Sequence, residues 1–209
     1  AAGGGLDGEY IFNTIGIAQN DIVTLYIDNN ALDGVTVTRF STTSATDYDI
    51  YAAHIIIQTE TTSSLSNADL DTANNGDTDI TSLYSDGGTS TVTTLAGSTL
   101  YIRESGAGTT YEYAPEGALD INGNITIGLS AAVFASAIPV TVSGNFVSTG
   151  AWVHTGLVTF DGTSAQTFYP YAAGITSDIV IANTTAAVTL DSNVLNIGAN
   201  DLTINTNAV

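Results

Sequence analysis

The sequence predicts an all-β protein, and three observations predict it. Helical periodicity is nearly absent. Short β-branched runs bounded by Gly, Asn and Asp recur along the chain. From about residue 89 onward these runs return roughly every 20 residues, the spacing of a stacked repeat.

The first segment, residues 1–17, is Gly-led and alternates around Tyr10, Phe12 and Ile15. It reads either as an ordinary first strand or as a strand lent to a neighbouring subunit, which makes those three residues candidate assembly contacts. The next runs are the longest: IVTLYI at 22–27, VTVTRF at 35–40 and HIIIQT at 54–59. A polar stretch at 61–76 follows, and the cluster Asp86, Gly87, Gly88 suggests a soft boundary. The expected division is an N-terminal β region, 1–88, and a β-solenoid-like region, 89–209.

Shorter runs then follow: STLYIR at 98–103, TYEY at 110–113, ITI at 125–127, VTV at 140–142, VTF at 158–160, IVI at 179–181, VTL at 188–190, VLNI at 194–197 and LTI at 202–204. One segment, LSAAVFAS at 129–136, reads as a helix or as a tight turn of small residues. Runs starting at Asp120, Val140, Val158, Ile179 and Leu202 lie 20, 18, 21 and 23 residues apart, and a second set falls near Ile125, Phe146, Thr167 and Val188. Two or more short strands in each such repeat suit a β-solenoid (β-helix), in which each coil returns to stack on the last. A β-sandwich with strands every 8–12 residues remains the alternative.

Composition narrows the function. With 44% hydrophobic residues the chain can build a core. It has no Lys, two Arg (Arg39 and Arg103) and 21 acidic residues, a formal charge of −19. Such a surface repels phosphate backbones and lacks the cations that displace DNA counterions, so nucleic acid is not an expected partner. An acidic, Lys-free surface tolerates salt and invites divalent cations. With no Cys, disulfides and thiolate metal sites are excluded. The absence of Met and the opening Ala1-Ala2-Gly3 lead us to expect a removed leader and an extracellular, cell-surface location. The longest apolar run, 129–142, is too short to span a bilayer as a helix.

No catalytic pattern emerges. His54 and His154 lie in or beside apolar runs without triad spacing. A polysaccharide lyase would call on more cations than two Arg, and no local signature selects a carboxylate pair for glycoside hydrolysis, so a hydrolase is the least favoured reading. The one constellation with metal-binding content is Asp69, Asp71, Asn75, Asp77 and Asp79, because hard cations want several oxygens from a sharply turning loop. It fails the EF-hand register and reads equally as an acidic turn closed by Asn75-Gly76, so no cofactor is required and calcium is the only one suggested. Trp152 with Tyr169, Pro170 and Tyr171 offers a sugar-stacking face, or else ordinary strand and interface aromatics. Asn124-Ile-Thr126 and Asn183-Thr-Thr185 match the N-glycosylation acceptor pattern.

The text GLVTFDGTSAQTFY at 156–169, followed by SDIVIANTTAAVTLDSNVLNIGANDLTINT at 177–206, resembles the repeat units of large secreted bacterial surface proteins of the adhesin and stalk type. The likeness covers mainly residues 117–209. It implies a surface-displayed β-solenoid with a role in attachment or in building an extracellular structure. The expected function is therefore a non-enzymatic structural subunit that self-assembles into a surface filament or sheath, with copies of itself as partner. A monomeric adhesin or carbohydrate-binding module that recognises surface glycans is the alternative.

Overall fold

A computed structural model describes residues 3–4, 10–11, 16–29, 31–41, 48–88, 90–103, 112–128, 133–191, 195–206 and 208. In chain order its elements are β1 (Gly3–Gly4), β2 (Tyr10–Ile11), β3 (Ile22–Tyr26), β4 (Val35–Arg39), β5 (His54–Thr59), α1 (Asn67–Asn74), α2 (Thr78–Thr81), β6 (Tyr84–Asp86), β7 (Thr91–Thr94) and β8 (Thr99–Ile102). They continue with β9 (Ala118–Ile121), β10 (Asn124–Ile127), β11 (Val133–Ser136), β12 (Val140–Val142), β13 (Phe146–Ser148), β14 (Ala151–His154), β15 (Val158–Phe160), β16 (Gln166–Tyr169), β17 (Ile179–Ile181), β18 (Val188–Leu190) and β19 (Leu202–Ile204).

The chain is a β-solenoid of about seven turns. One side is an eight-stranded sheet in the order β18-β16-β13-β10-β8-β5-β4-β3, and a second is a seven-stranded sheet in the order β19-β17-β15-β12-β9-β7-β6. A narrower third side is built from the bridges Leu65 to Tyr113 and Tyr113 to Phe134, then from β11 paired with β14. Every strand pair except β1–β2, β3–β4 and β6–β7 is parallel, which removes the sandwich alternative, an antiparallel architecture.

Parallel stacking puts like on like. In the first sheet Val35, Ile55, Leu100, Ile125, Phe146, Phe168 and Leu190 form one inward column. In the second, Val92, Leu119, Val140, Val158, Ile179 and Leu202 form another. Strands show the buried-then-half-buried alternation of a sheet with one face on a core, as in β9 and β10. Each fully buried Val, Leu or Ile contributes roughly 1.5–3 kcal/mol. Aromatic rings pack in the core as well, with Phe134 of the third side lying flat on Trp152 at 4.5 Å between centroids and Phe146 edge-on to Phe168 at 5.2 Å.

The register corrects the anchors that spacing alone suggests. Val140 pairs with Leu119 rather than Asp120, and Phe146 pairs with Phe168, which pairs with Leu190, rather than with Thr167 and Val188. A one-residue slip exchanges the faces of a strand. Asp120 points outward, where its Oδ1 accepts from Thr141 Oγ1 at 3.0 Å.

Tight corners let the rungs meet. A Cβ on Gly123 would lie 1.9 Å from Ser98 O, and one on Gly144 would lie 2.3 Å from Gly123 O, so these corners admit only glycine. Beside them an asparagine ladder climbs the corner: Asn124 Oδ1 accepts from Asn145 N at 2.8 Å, and Asn145 Oδ1 accepts from Thr167 N at 2.7 Å.

Two segments differ from expectation. The polar stretch contains α1, initiated by Ser66 and Asp69 in a reciprocal capping box. The candidate helix at 129–136 contains strand β11 instead, with 129–132 outside the described residues. The boundary at 86–88 falls between β6 and β7, an antiparallel pair, while β5 and β8 pair in parallel across it. Ile55 and Leu100 are neighbours in one column although 45 residues separate them, because α1, α2 and β6 are inserted into that turn. No described helix is long and apolar enough to cross a membrane.

Candidate functional site

The two ends of the solenoid are finished differently, and most of the candidate residues cluster at one of them. At the first end, α1 lies against edge strands β3 and β6. Thr24 Oγ1 donates to Ala73 O, Asn74 Nδ2 donates to Tyr84 O at 3.2 Å, and Tyr84 Oη donates to Leu70 O at 2.8 Å. Leu70, Ile80 and Tyr84 are buried there, so apolar side chains and edge polar groups are both covered.

The acidic residues of this cap serve local ends. Asp69 holds the Ser66 backbone N–H and pairs with Arg39. Glu116 accepts from the backbone N–H groups of Asn67 and Ala68 at 2.9 and 3.1 Å, where the helix N-terminus favours a carboxylate. Asn75 (φ 44°) and Gly76 (φ 71°) turn the chain out of α1. Asp77 caps α2 through Asp79 N at 2.9 Å and accepts from Tyr26 Oη at 3.0 Å, while Asp79 Oδ2 accepts from Asn29 N at 2.9 Å. Asp71 faces Asp86, whose carboxyl is pushed up to about 6, first by burial and then by the hydrogen bond and charge of Asp71. The two carboxylates line an open depression of about 530 Å³ with Asn74, Asn75 and Ser85.

Of the candidate calcium set, Asp69, Asp77 and Asp79 thus have hydrogen-bond partners of their own, and Asp71 faces Asp86. A helix advances about 100° per residue, so Asp69 and Asp71 occupy well-separated faces of α1. Among the described residues no group of three or more His, Asp or Glu side chains is placed to hold a metal ion.

The sequence gives no sign of the contact between His154 and Ser177, which are 23 residues apart but adjacent in space. His154 Nε2 lies 2.7 Å from Ile138 O and therefore carries the proton, since a carbonyl only accepts. Its unprotonated Nδ1 lies 2.9 Å from Ser177 Oγ, which accepts from Trp152 Nε1 at 3.0 Å and whose single proton has two acceptors in reach, Nδ1 and, at 2.8 Å, His154 O. The pair looks like a base beside a hydroxyl nucleophile, yet both residues are 0% exposed. No substrate reaches them in this state, and the network satisfies polar groups inside the core. Burial lowers the His154 pKa to about 4. His54, by contrast, stands at the surface with Nδ1 2.8 Å from Ala52 O.

The sugar-stacking face is corrected by the fold. Trp152 is 2% exposed and stacked on Phe134, so it offers no ring to a glycan; Pro170 is also buried, and Tyr169 alone of the set is well exposed. Neither acceptor asparagine is free: Asn124 is in the corner ladder, and Asn183 is buried, donating to Ser164 O and Gln166 Oε1 and accepting from Thr185 N and Ala186 N. Of the assembly candidates, Tyr10 lies in β2, which among the described residues pairs with β1 in a two-stranded ribbon, while Phe12 and Ile15 lie outside the described residues.

The second end has no such cap among the described residues. β18 and β19 are the outermost strands of their sheets. The inward column of the second sheet is 0–2% exposed from Val92 to Ile179, then 44% at Leu202, and Ile204 reaches 64%. In the first sheet Phe168 is 4% and Leu190 39% exposed. Leu195 and Ile197 are only partly covered on the same rung.

No protein-family model matches the chain, and neither a curated protein nor a solved structure is significantly similar to it.

Proposed function

We propose that the chain is an extracellular structural subunit that self-assembles non-covalently as part of a surface filament or sheath. The observation that supports this reading is the stack of parallel coils, whose two large sheets set like residues on like, rung upon rung. In a solenoid each repeat contacts only its neighbours, a geometry that extends readily by adding units. A continuous parallel ladder also makes a stiff rod, and the high acidic charge keeps its sides from sticking together.

Negative-stain electron microscopy of the purified chain, with calcium and then with chelator, tests the proposal. The expected result is rods longer than one chain in both conditions, because the acidic residues of the cap have partners of their own. Single dispersed particles at every salt and calcium concentration would overturn it.

A further inference from the structure

The third side is the most lightly paired part of the solenoid. The large sheets run to eight and seven strands, whereas here β11 pairs with β14 and no strand follows β14 among the described residues. Past β14, side chains replace the ladder: Thr176 Oγ1 donates to His154 O at 2.7 Å, and Ser177 Oγ lies 2.8 Å from the same oxygen. In the other direction His154 Nε2 donates to Ile138 O. One residue thus ties the turn after β11, β14 itself and the turn at 175–178, which belong to three successive coils. Segments held by few contacts open before the rest of a fold does.

The imidazole is neutral where it sits, buried against the rings of Phe134 and Trp152 at centroid distances of 5.5 and 5.0 Å. Among the described residues no carboxylate acts on it. β11 and the turn at Ile138 carry no titratable residue. Tyr113, on the far side of Phe134, is a phenol kept neutral by burial, and Asp178, the one acid of the 175–178 turn, is exposed and accepts from Asp201 N at 2.9 Å. A proton on Nδ1 therefore puts an unpaired cation in the core, and the Ser177 hydroxyl does not replace its lost hydration. We propose that His154 and Ser177 form an acid-released latch: protonation of the imidazole opens the third side at β14 and the 175–178 turn while the two large sheets stay paired. Linkage sets the size of the effect. Burial lowers the His154 pKa from 6.5 to about 4, so an opening that returns the ring to water becomes about 20-fold more favourable between pH 7 and pH 5.

Native-state amide hydrogen exchange of the 209-residue chain, followed by NMR from pH 7 to pH 5 with and without sub-denaturing urea, tests this. The diagnostic amides are those of β14 and Thr155, whose N–H donates to Ser136 O at 2.8 Å. After correction for intrinsic exchange chemistry, they should exchange faster than the amides of β5 and β8 and gain about 20-fold between pH 7 and pH 5. They should respond little to urea, because a local opening exposes little surface. His154→Gln, which cannot titrate, should lose the acid acceleration. Ser177→Ala keeps the imidazole but removes one tie, so it should exchange faster at pH 7 and retain the acceleration. Amides of β14 that share the urea dependence of β5 and β8 would open only with the whole chain, and the latch would be wrong. An acid acceleration that survives in His154→Gln would assign it to other groups and overturn the proposal equally. Should His154→Gln fail to fold, the urea comparison in the parent and the Ser177→Ala response decide the matter.

Discussion

Phe146 and Leu190 stand in the same column two rungs apart, yet one is 1% and the other 39% exposed. The sequence gives both the same local setting, a short β-branched or aromatic run beside a turn. What differs is the next rung. In a solenoid each repeat contacts only its neighbours, so burial is conferred by the adjacent coil. The interior and the last rung should therefore respond very differently to the same kind of change.

The largest contrast is expected at the corners. Gly144→Ala would force a methyl to 2.3 Å from the Gly123 carbonyl oxygen, backbone against backbone, at a cost of about 3 kcal/mol or more in urea unfolding. Gly198→Ala on the last rung meets open space and bears only the strain of φ 62°, roughly 1–2 kcal/mol. Equal losses at the two sites would break the comparison. Next in size, Phe146→Ala should cost about 3–5 kcal/mol, with Leu190→Ala below about 1 kcal/mol for the monomer. Chemical denaturation at concentrations too low for association separates the two.

His154 sharpens the contrast through pH. Its pKa falls from 6.5 to about 4 on burial, so the unfolded chain binds a proton at mildly acid pH that the folded chain refuses. The contribution is fully present above about 6.5 and is lost as pH falls toward about 4, on the order of 3 kcal/mol. Stability measured from neutral to acid pH should show this slope, and His154→Leu should remove that part of it whatever its stability at neutral pH.

The smallest effect belongs to the cap. Asp86 has a raised folded pKa, the opposite sense, so its ionisation costs stability as pH rises through about 6. Asp86→Asn should therefore melt higher than the parent at neutral pH, and the gap should shrink as pH falls through about 6 and close toward 3.8. A gap that is constant with pH would show that the ionisation of Asp86 is not what costs stability.

Much of the solenoid was legible because its signal is local. β-branched triplets, Gly and Asn corners and a period of roughly 20 residues lie in plain text, and ten of the runs named from sequence lie at strands of the two large sheets. Register was less legible: Asp120 and Thr167 were one residue off, since spacing does not say which residue faces inward. The helix at Asn67–Asn74 was missed although Ser66 and Asp69 spell its capping box. That helix sets Asp69 and Asp71 on different faces, and Trp152, for which a sugar-stacking face was one of two readings, is drawn inside by Phe134 from the preceding coil.

The sequence by itself determined the class of structure, because period-two alternation and turn residues act within a few positions, and it determined the charge, which is a plain sum. Only the tertiary structure decided what each side chain meets. Whether Trp152 is core, whether His154 and Ser177 touch, and whether Leu202 is buried all depend on contacts made by a coil about 20 residues away in the chain, and no local pattern records them.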